Sequence, residues 1–547
     1  MNDQMIQNGS TTSETAQAAR FQNEDQCRKW LAGIPSNASG STLETIGVEL
    51  RQFVESEIAP ATRLETLEVL RHKITQIRQE LASGYCGKAL PLAPSEYDLW
   101  RAIVDMRLAM ATGYEKCLTN PPSAAQNSAQ LEALGCQRAI AQLLHAICDY
   151  ARAYTGVPSE IWKRIHHLYR HAEARGITDV LAHDSSSGTA ASPSCRMTYL
   201  HTLLFAAAQP YSLSPAQIEY VFNRLDAWSN LATLHTEALD GTSLTALAVD
   251  LDSHDGMKLL RHLPAGPSLR HIGTQRLGET LKSLMLTLRQ GGDAAALGIN
   301  TSIAKPALER LLTNLYIQWC SAGTGRTSAR SLSSSKAMVT VTIPAMHFYI
   351  SGLAFRQPGL GATREEEEDL QVFGHITQRT MQKLVSQRSS AFEPWSIGNE
   401  SSGGLFMLCR QPDFHTRIAH GQLLGLMKRS DKPIELVTVQ RLLQRETGEL
   451  EVGVRHIEGI PLSVAVRVSA PGRPAAGANT DSGAKYERAL LLPAISEKSL
   501  PARLLLEPGW YSPGSRRELY ASEKTTVQLK ELMDHGPNFE QASFITL

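Results

Sequence analysis

The 547-residue chain lacks several features that would place it at once. Its eight cysteines run from Cys27 to Cys409, and no two of them form a C-x-x-C pair. Such a spread argues against a zinc module or a disulfide framework and fits thiols kept reduced. Neither sign of charge is in excess, since 54 Lys and Arg stand against 54 Asp and Glu. Bulk binding of DNA or RNA needs a basic face, so it is not expected, although a local basic site is compatible with the balance. No stretch reaches 18 uninterrupted apolar residues, so no membrane span is expected. The N-terminus is rich in Asn, Gln, Ser and Thr and lacks a basic start followed by an apolar run, so no signal peptide is expected. No G-x-S-x-G or H-E-x-x-H set is present, which disfavours an enzyme. These absences describe a cytoplasmic protein without metal or cofactor.

What is present is ordinary in amount and informative in order. The apolar fraction is 42% and the aromatic fraction 6%, as in soluble globular chains. The length exceeds one core and implies roughly two to four structural units. Residues 1–41 are polar and read as a disordered tail. From Thr42 the spacing is helical: Ile46, Leu50, Phe53 and Val54 lie three or four apart, as a single buried face requires. Comparable patterns follow over Leu64–Leu81, Tyr97–Cys117, Leu131–Tyr154, Glu160–Arg175, Leu277–Leu288 and Pro306–Trp319. Ser214-Pro215-Ala216-Gln217 has the grammar of a capped helix start, with Ser to cap, Pro at the first position and Gln to close the box. Residues 42–320 therefore read as an all-α domain.

Past Trp319 the grammar changes. Ser321–Gly325 is small and polar, and Met338–Ile343 is dense in β-branched residues. Phe406–Leu408, Ile434–Val439, Glu451–His456 and Leu462–Val468 continue as short strands broken by Gly, Pro and Asp, the pattern of a small antiparallel barrel over 321–469. Residues 359–394, with the acidic run Glu365–Asp369, read as an insertion in it. Residues 470–482 read as a Gly/Pro/Ala linker, and 483–547 as a smaller β-rich extension.

Two short elements in this region carry chemistry. Arg326 and Arg330 form R-x-x-x-R, and Asn399-Glu400-Ser401-Ser402-Gly403-Gly404 forms N-x-S-x-x-G. Together with the flanking Trp395-Ser396-Ile397-Gly398 and the later Val452-Gly453-Val454-Arg455, they resemble the paired signatures of PilZ domains. The resemblance covers roughly residues 320–468, and the helical stretch from Tyr199 to Trp228 is similar to the upstream region of some long bacterial PilZ proteins. It implies a multidomain α+β protein in which a helical domain precedes a PilZ-type barrel. It also implies a non-enzymatic receptor for cyclic di-GMP, with Arg326, Arg330, Asn399, Ser401 and Gly404 at the ligand and a protein partner downstream. The residue types suit that ligand. A guanidinium forks onto phosphate and stacks on or donates to guanine. Asn399 offers a donor and an acceptor to a guanine edge, and Ser401 a short hydroxyl. Gly404 permits close backbone approach. A PilZ-like scaffold that no longer binds nucleotide is the alternative.

Other candidates are weaker. Arg441 and Arg445 form a second R-x-x-x-R, but it follows Asn399 and adjoins a strand, so it is taken as the chance copy. Sixty-eight residues separate Arg330 from Asn399, many of them in the insertion. His167 and His171 share a helical face, with His166 beside them, but lack the carboxylate or cysteine that would complete a metal set. Asp250, Asp252 and Asp255 suggest a calcium loop whose twelfth position is Arg261 instead of Glu. Gly323–Ser328 lacks the lysine of a phosphate loop.

Overall fold

Helical spacing in the first half does produce helices, and they begin earlier than the composition suggests. The computed structural model describes the chain apart from residues 1–18, 36–39, 119–127, 183–192, 239–245, 293–302, 322–329, 333–334, 353–354, 359–370, 373–391, 402–404, 413–415, 429–432 and 469–484. The first helix, α1 (Glu24–Ala32), lies within the stretch expected to be disordered. Asn23 caps it by accepting from the Gln26 N–H at 3.0 Å. Phe21, fully buried, packs on Trp30 and Phe53 at ring-centroid distances of 5.1 and 5.2 Å. Two apolar anchors in a polar segment thus order it.

In α2 (Gly40–Glu55), Ile46, Leu50, Phe53 and Val54 are all buried, as their spacing requires. There follow α3 (Pro60–Leu81), α4 (Pro94–Lys116), α5 (Ser128–Arg152), α6 (Ser159–Ala174), α7 (Cys195–Ala207) and α8 (Pro215–Ser229). The α8 capping box forms: Ser214 N–H donates to Gln217 Oε1 at 2.9 Å, and Gln217 N–H to Ser214 Oγ at 3.4 Å. A buried ion cluster ties the bundle. Asp149 of α5, with no exposed side-chain surface, accepts from Tyr85 Oη and Arg152 Nη1 at 2.8 Å each and from Arg78 Nε at 3.3 Å. Arg107 Nε stands 3.9 Å away. Burial alone would raise the Asp149 carboxyl, but Arg152, Arg78 and Arg107 outweigh it and hold it below the usual range.

The helical region also holds a small sheet that no pattern announced. Strands β1 (Thr233–His235), β2 (Leu247–Asp250), β3 (Lys258–Leu259) and β4 (Leu269–Gly273) pair in the order β1-β4-β2-β3. Helices α9 (Gln275–Arg289) and α10 (Lys305–Cys320) close the region, with Trp319 Nε1 donating to the Leu204 carbonyl at 2.9 Å. Among the described residues no helix is long and apolar enough to cross a membrane.

The second half is built of β-barrels. The central one comprises β5 (Arg330–Leu332), β6 (Lys336–Thr340), β7 (Glu393–Ser401), β8 (Leu405–Arg410), β9 (Leu423–Met427), β10 (Glu435–Gln444) and β11 (Leu450–His456), with α11 (Ile343–Ser351) after β6. Strands β6-β7-β8-β11-β10-β9 pair in a ring, and β5 lies beside the far end of β7. Inside it Trp395, Ile397, Leu408, Val452 and Val454 belong to the same apolar cluster as the helices. The C-terminal barrel is closed in the order β12-β13-β14-β17-β16-β15, from β12 (Leu462–Val468), β13 (Glu487–Leu492), β14 (Arg503–Leu506), β15 (Arg516–Tyr520), β16 (Lys524–Gly536) and β17 (Phe539–Thr546). The expected β-rich extension is therefore a complete barrel. It recruits β12, which sequence order alone assigns to the central barrel. Gly459, at φ +112°, and Pro461 turn the chain out of β11 before β12 starts, and an apolar strand carries no mark of which ring it will join. Most of the expected insertion and all of the expected linker lie outside the described residues.

The three bodies touch through directed contacts. Leu90 and Ile418 exchange both backbone hydrogen bonds at 2.7 Å, and Gln444 N–H donates to the Tyr154 carbonyl at 2.8 Å, joining helices to the central barrel. Between the barrels, Asn538 donates to the carbonyls of Val341 and Leu423 at 2.9 Å and accepts from Leu423 N–H at 2.8 Å. Leu423, Leu436 and Met346 pack there against Leu490, Leu505 and Phe539.

Candidate functional site

Strand β7 carries the second motif, and a single extra residue decides which way that motif points. Side chains alternate along a strand, and Glu393, Trp395 and Ile397 are buried inside the barrel. Unbroken alternation would send Asn399 inward with them. The ladder to β8 instead shifts: Ile397 opposes Leu408, while Asn399 opposes Met407. Gly398 is the additional residue of a β-bulge, and after it the phase inverts. Ile397 and the facing Leu408 are buried, so Asn399, one bulge residue beyond, belongs to the outer side, where it is half-buried.

The first motif comes to the same place through β5. Arg330 pairs with Ser401 and Leu332 with Asn399 in an antiparallel register. Directly opposed residues lie about 4.5–5.5 Å apart at Cα. Ser401 is two positions from Asn399, so Arg330, Ser401 and Asn399 are register neighbours despite the 68 intervening residues. Arg326 and Gly404 lie outside the described residues.

Sequence reasoning passed over two further arginines on this face. Asn399 opposes Met407, Met407 opposes Gly453, and Gly453 opposes Arg441, making one row across four strands. A second bulge, between Val439 and Arg441, inverts the phase of β10 and turns Arg441 outward. Arg441 of the second R-x-x-x-R thus lies on the row of Asn399. Its guanidinium lies 5.7 Å from the Tyr211 ring and 3.5 Å from Gln209 Oε1, both in the helical region, whereas Arg445 pairs with Glu451 on its own barrel. In the adjacent row Arg455 opposes Leu405. The signal for Arg455 was available: it falls out of phase with the fully buried Val452 and Val454. Its Nη2 stands 3.4 Å from Asp534 Oδ2 on β16 of the C-terminal barrel.

The remaining sequence candidates have structural settings. His166 is buried, with Nδ1 2.8 Å from Tyr199 Oη and Nε2 2.9 Å from the Asp255 carbonyl, and burial lowers its pKa. His171 faces Glu132 at 2.8 Å. Asp250 accepts from the Asp252 N–H, while Asp252 pairs with Arg170. Among the described residues no group of three or more His, Cys, Asp or Glu is arranged to hold a metal.

Comparison with known proteins bears on both flanks of the central barrel. Residues 25–238 match the family model described as the N-terminal domain of the cyclic-di-GMP receptor FimW, and residues 475–547 match the FimW C-terminal beta-barrel domain. Both ends of the chain match FimW models. The cyclic-di-GMP receptor FimW of Pseudomonas aeruginosa is 23% identical over 546 residues, covering 91% of this chain and 86% of that protein. The FimW N-terminal match spans α1 to β1, and the C-terminal match begins after β12, although β12 completes that barrel. The central barrel, with both motifs, lies between the two matched stretches.

Proposed function

We propose that this chain is a non-enzymatic receptor for cyclic di-GMP that binds the dinucleotide on the outer face of the central barrel. The observation that carries the reading is the register in which Arg330 opposes Ser401 beside an Asn399 that the Gly398 bulge turns outward. The similarity along most of its length to a protein named as a cyclic-di-GMP receptor supports the same conclusion.

In this reading Arg330 and Arg326 fork onto the phosphodiesters or stack on guanine, Asn399 reads a guanine edge, and Ser401 donates a hydroxyl. Gly404, without a side chain, would allow close backbone approach to the ligand. Nine residues connect α10 to Arg330. Arg330 follows α10 closely in sequence, and Trp319 of α10 is anchored in the bundle by its bond to the Leu204 carbonyl. Occupancy would so reach the helical region and a protein partner bound there. The test is calorimetry with cyclic di-GMP on the full chain. Saturable micromolar binding is expected, and no heat at that concentration rejects the receptor.

A further inference from the structure

Resting on that reading, we propose that Arg455 is a third arginine of the ligand site, and that it exchanges Asp534 for a ligand phosphodiester when the site fills. Three observations meet here. The β7–β8 register after the bulge runs Asn399 with Met407 and Glu400 with Phe406, which sets Ser401 opposite Leu405, itself opposite Arg455. Arg455 is therefore two strands from Ser401, about 10 Å at Cα, while Arg330 flanks Ser401 from the other side. One row presents an arginine at each end of a span suited to a ligand with two phosphodiesters.

Second, Arg455 stands on the outer side, its side chain 43% exposed and out of phase with the fully buried Val452 and Val454. It is reachable from solvent without opening the core. Third, its present partner is a carboxylate from another body: Asp534 of β16, 3.4 Å away and 35% exposed. An exposed pair in this geometry is weak and exchangeable. A phosphodiester accepts from the same guanidinium, with better complementarity to its planar fork. The two anions compete for one cation, so occupancy releases the Asp534 side chain from the central barrel. By linkage, whatever fixes the C-terminal barrel against Arg455 weakens ligand binding equally.

The test compares cyclic di-GMP affinity by calorimetry in the full-length protein and two variants. Arg455→Gln is expected to weaken binding about 10-fold or more, the effect of losing a charge-assisted contact. Asp534→Asn removes the competitor and is expected to tighten binding about 2- to 5-fold. A gain of affinity cannot come from misfolding, so the second variant guards the first. Unchanged affinity in Arg455→Gln, or unchanged or weaker affinity in Asp534→Asn, overturns the exchange while wild-type binding leaves the receptor intact. Absence of wild-type binding removes the receptor and the exchange together. As a second readout, ligand should speed amide exchange around Asp534 in the wild type and have no effect in Arg455→Gln. Equal behaviour of the two proteins refutes the release.

Discussion

Because one extra glycine reverses the phase of β7, alternate residues on either side of it should fail in different ways when truncated. Ile397 is 2% exposed and packs in the apolar core. Ile397→Ala removes buried methylene and methyl groups and leaves a cavity, a loss of about 2–5 kcal/mol. Asn399 follows two positions later but lies on the outer side, opposite Met407. Asn399→Ala should change stability by no more than about 0.5 kcal/mol, the range of an ordinary surface substitution. It should instead remove a guanine contact worth about 1–3 kcal/mol, weakening cyclic di-GMP affinity about 5- to 150-fold. Scanning calorimetry of the ligand-free variants reads the first quantity and titration calorimetry the second. A several-kilocalorie destabilisation by Asn399→Ala would refute the inverted phase. Unchanged stability with unchanged affinity would refute the placement of ligand on this face.

Other expectations follow from the same geometry. Arg326→Ala with Arg330→Ala should abolish measurable binding by calorimetry while the far-ultraviolet dichroism stays that of the wild type; surviving binding would mean that other arginines grip the phosphates. Asp149→Asn removes the carboxylate shared by Arg78, Arg107 and Arg152, leaving Glu219 to offset Arg78 and Arg152, and should cost about 3–5 kcal/mol in denaturant titrations monitored by helical signal. The same carboxyl is held below its unfolded value, so its stabilisation is full near neutrality and is lost as pH falls through the depressed folded value, below about 4; acid melts should show helix loss that Asp149→Asn no longer shows. Asn538→Ala breaks three hydrogen bonds between the barrels and should raise protease sensitivity at their junction, with about 1–3 kcal/mol lost.

Legibility in the sequence followed the strength of the period. Long amphipathic helices stood out, and α3 to α6, α9 and α10 agree with their expected limits to within a few residues. The capping box at Ser214 and Gln217 was readable because its chemistry is local. Phe21 was not, because an isolated aromatic in a polar stretch gains its meaning from packing on Trp30 and Phe53, a contact that only folding makes. The sheet of β1 to β4 escaped notice because its strands have two to five residues, too few to show a period. Assignment of β12 failed for another reason: ring membership depends on pairing partners, and Val464 and Val466 would suit either core. The motif residues were visible as residue types, but their arrangement was not. Register between β5 and β7 bridges the long insertion, and neither bulge can be read from composition.

The two bulges make the outer face more than a collection of polar positions. Without the one at Gly398, Asn399 would join Ile397 in the core; without the one beside Val439, Arg441 would join Val437 and Val439 there. Each bulge turns a polar side chain outward at a point where an inward one would be buried among apolar groups at a cost of about 1–3 kcal/mol unless paired. Both act on one row, from Asn399 through Met407 and Gly453 to Arg441, and that row ends against Gln209 and Tyr211 of the helical region. The next row, through Ser401 and Leu405 to Arg455, ends against Asp534 of the C-terminal barrel. Under the proposed binding mode, one ligand therefore lies at the start of two rows whose far ends belong to different bodies. The Arg455–Asp534 pair at the second of those ends is partly exposed and individually weak, so a differential of a single charge-assisted contact is enough to redistribute it. A face of this kind can report occupancy to the C-terminal barrel without any rearrangement of the barrel core, because in the proposed exchange only Arg455 at its edge changes partner.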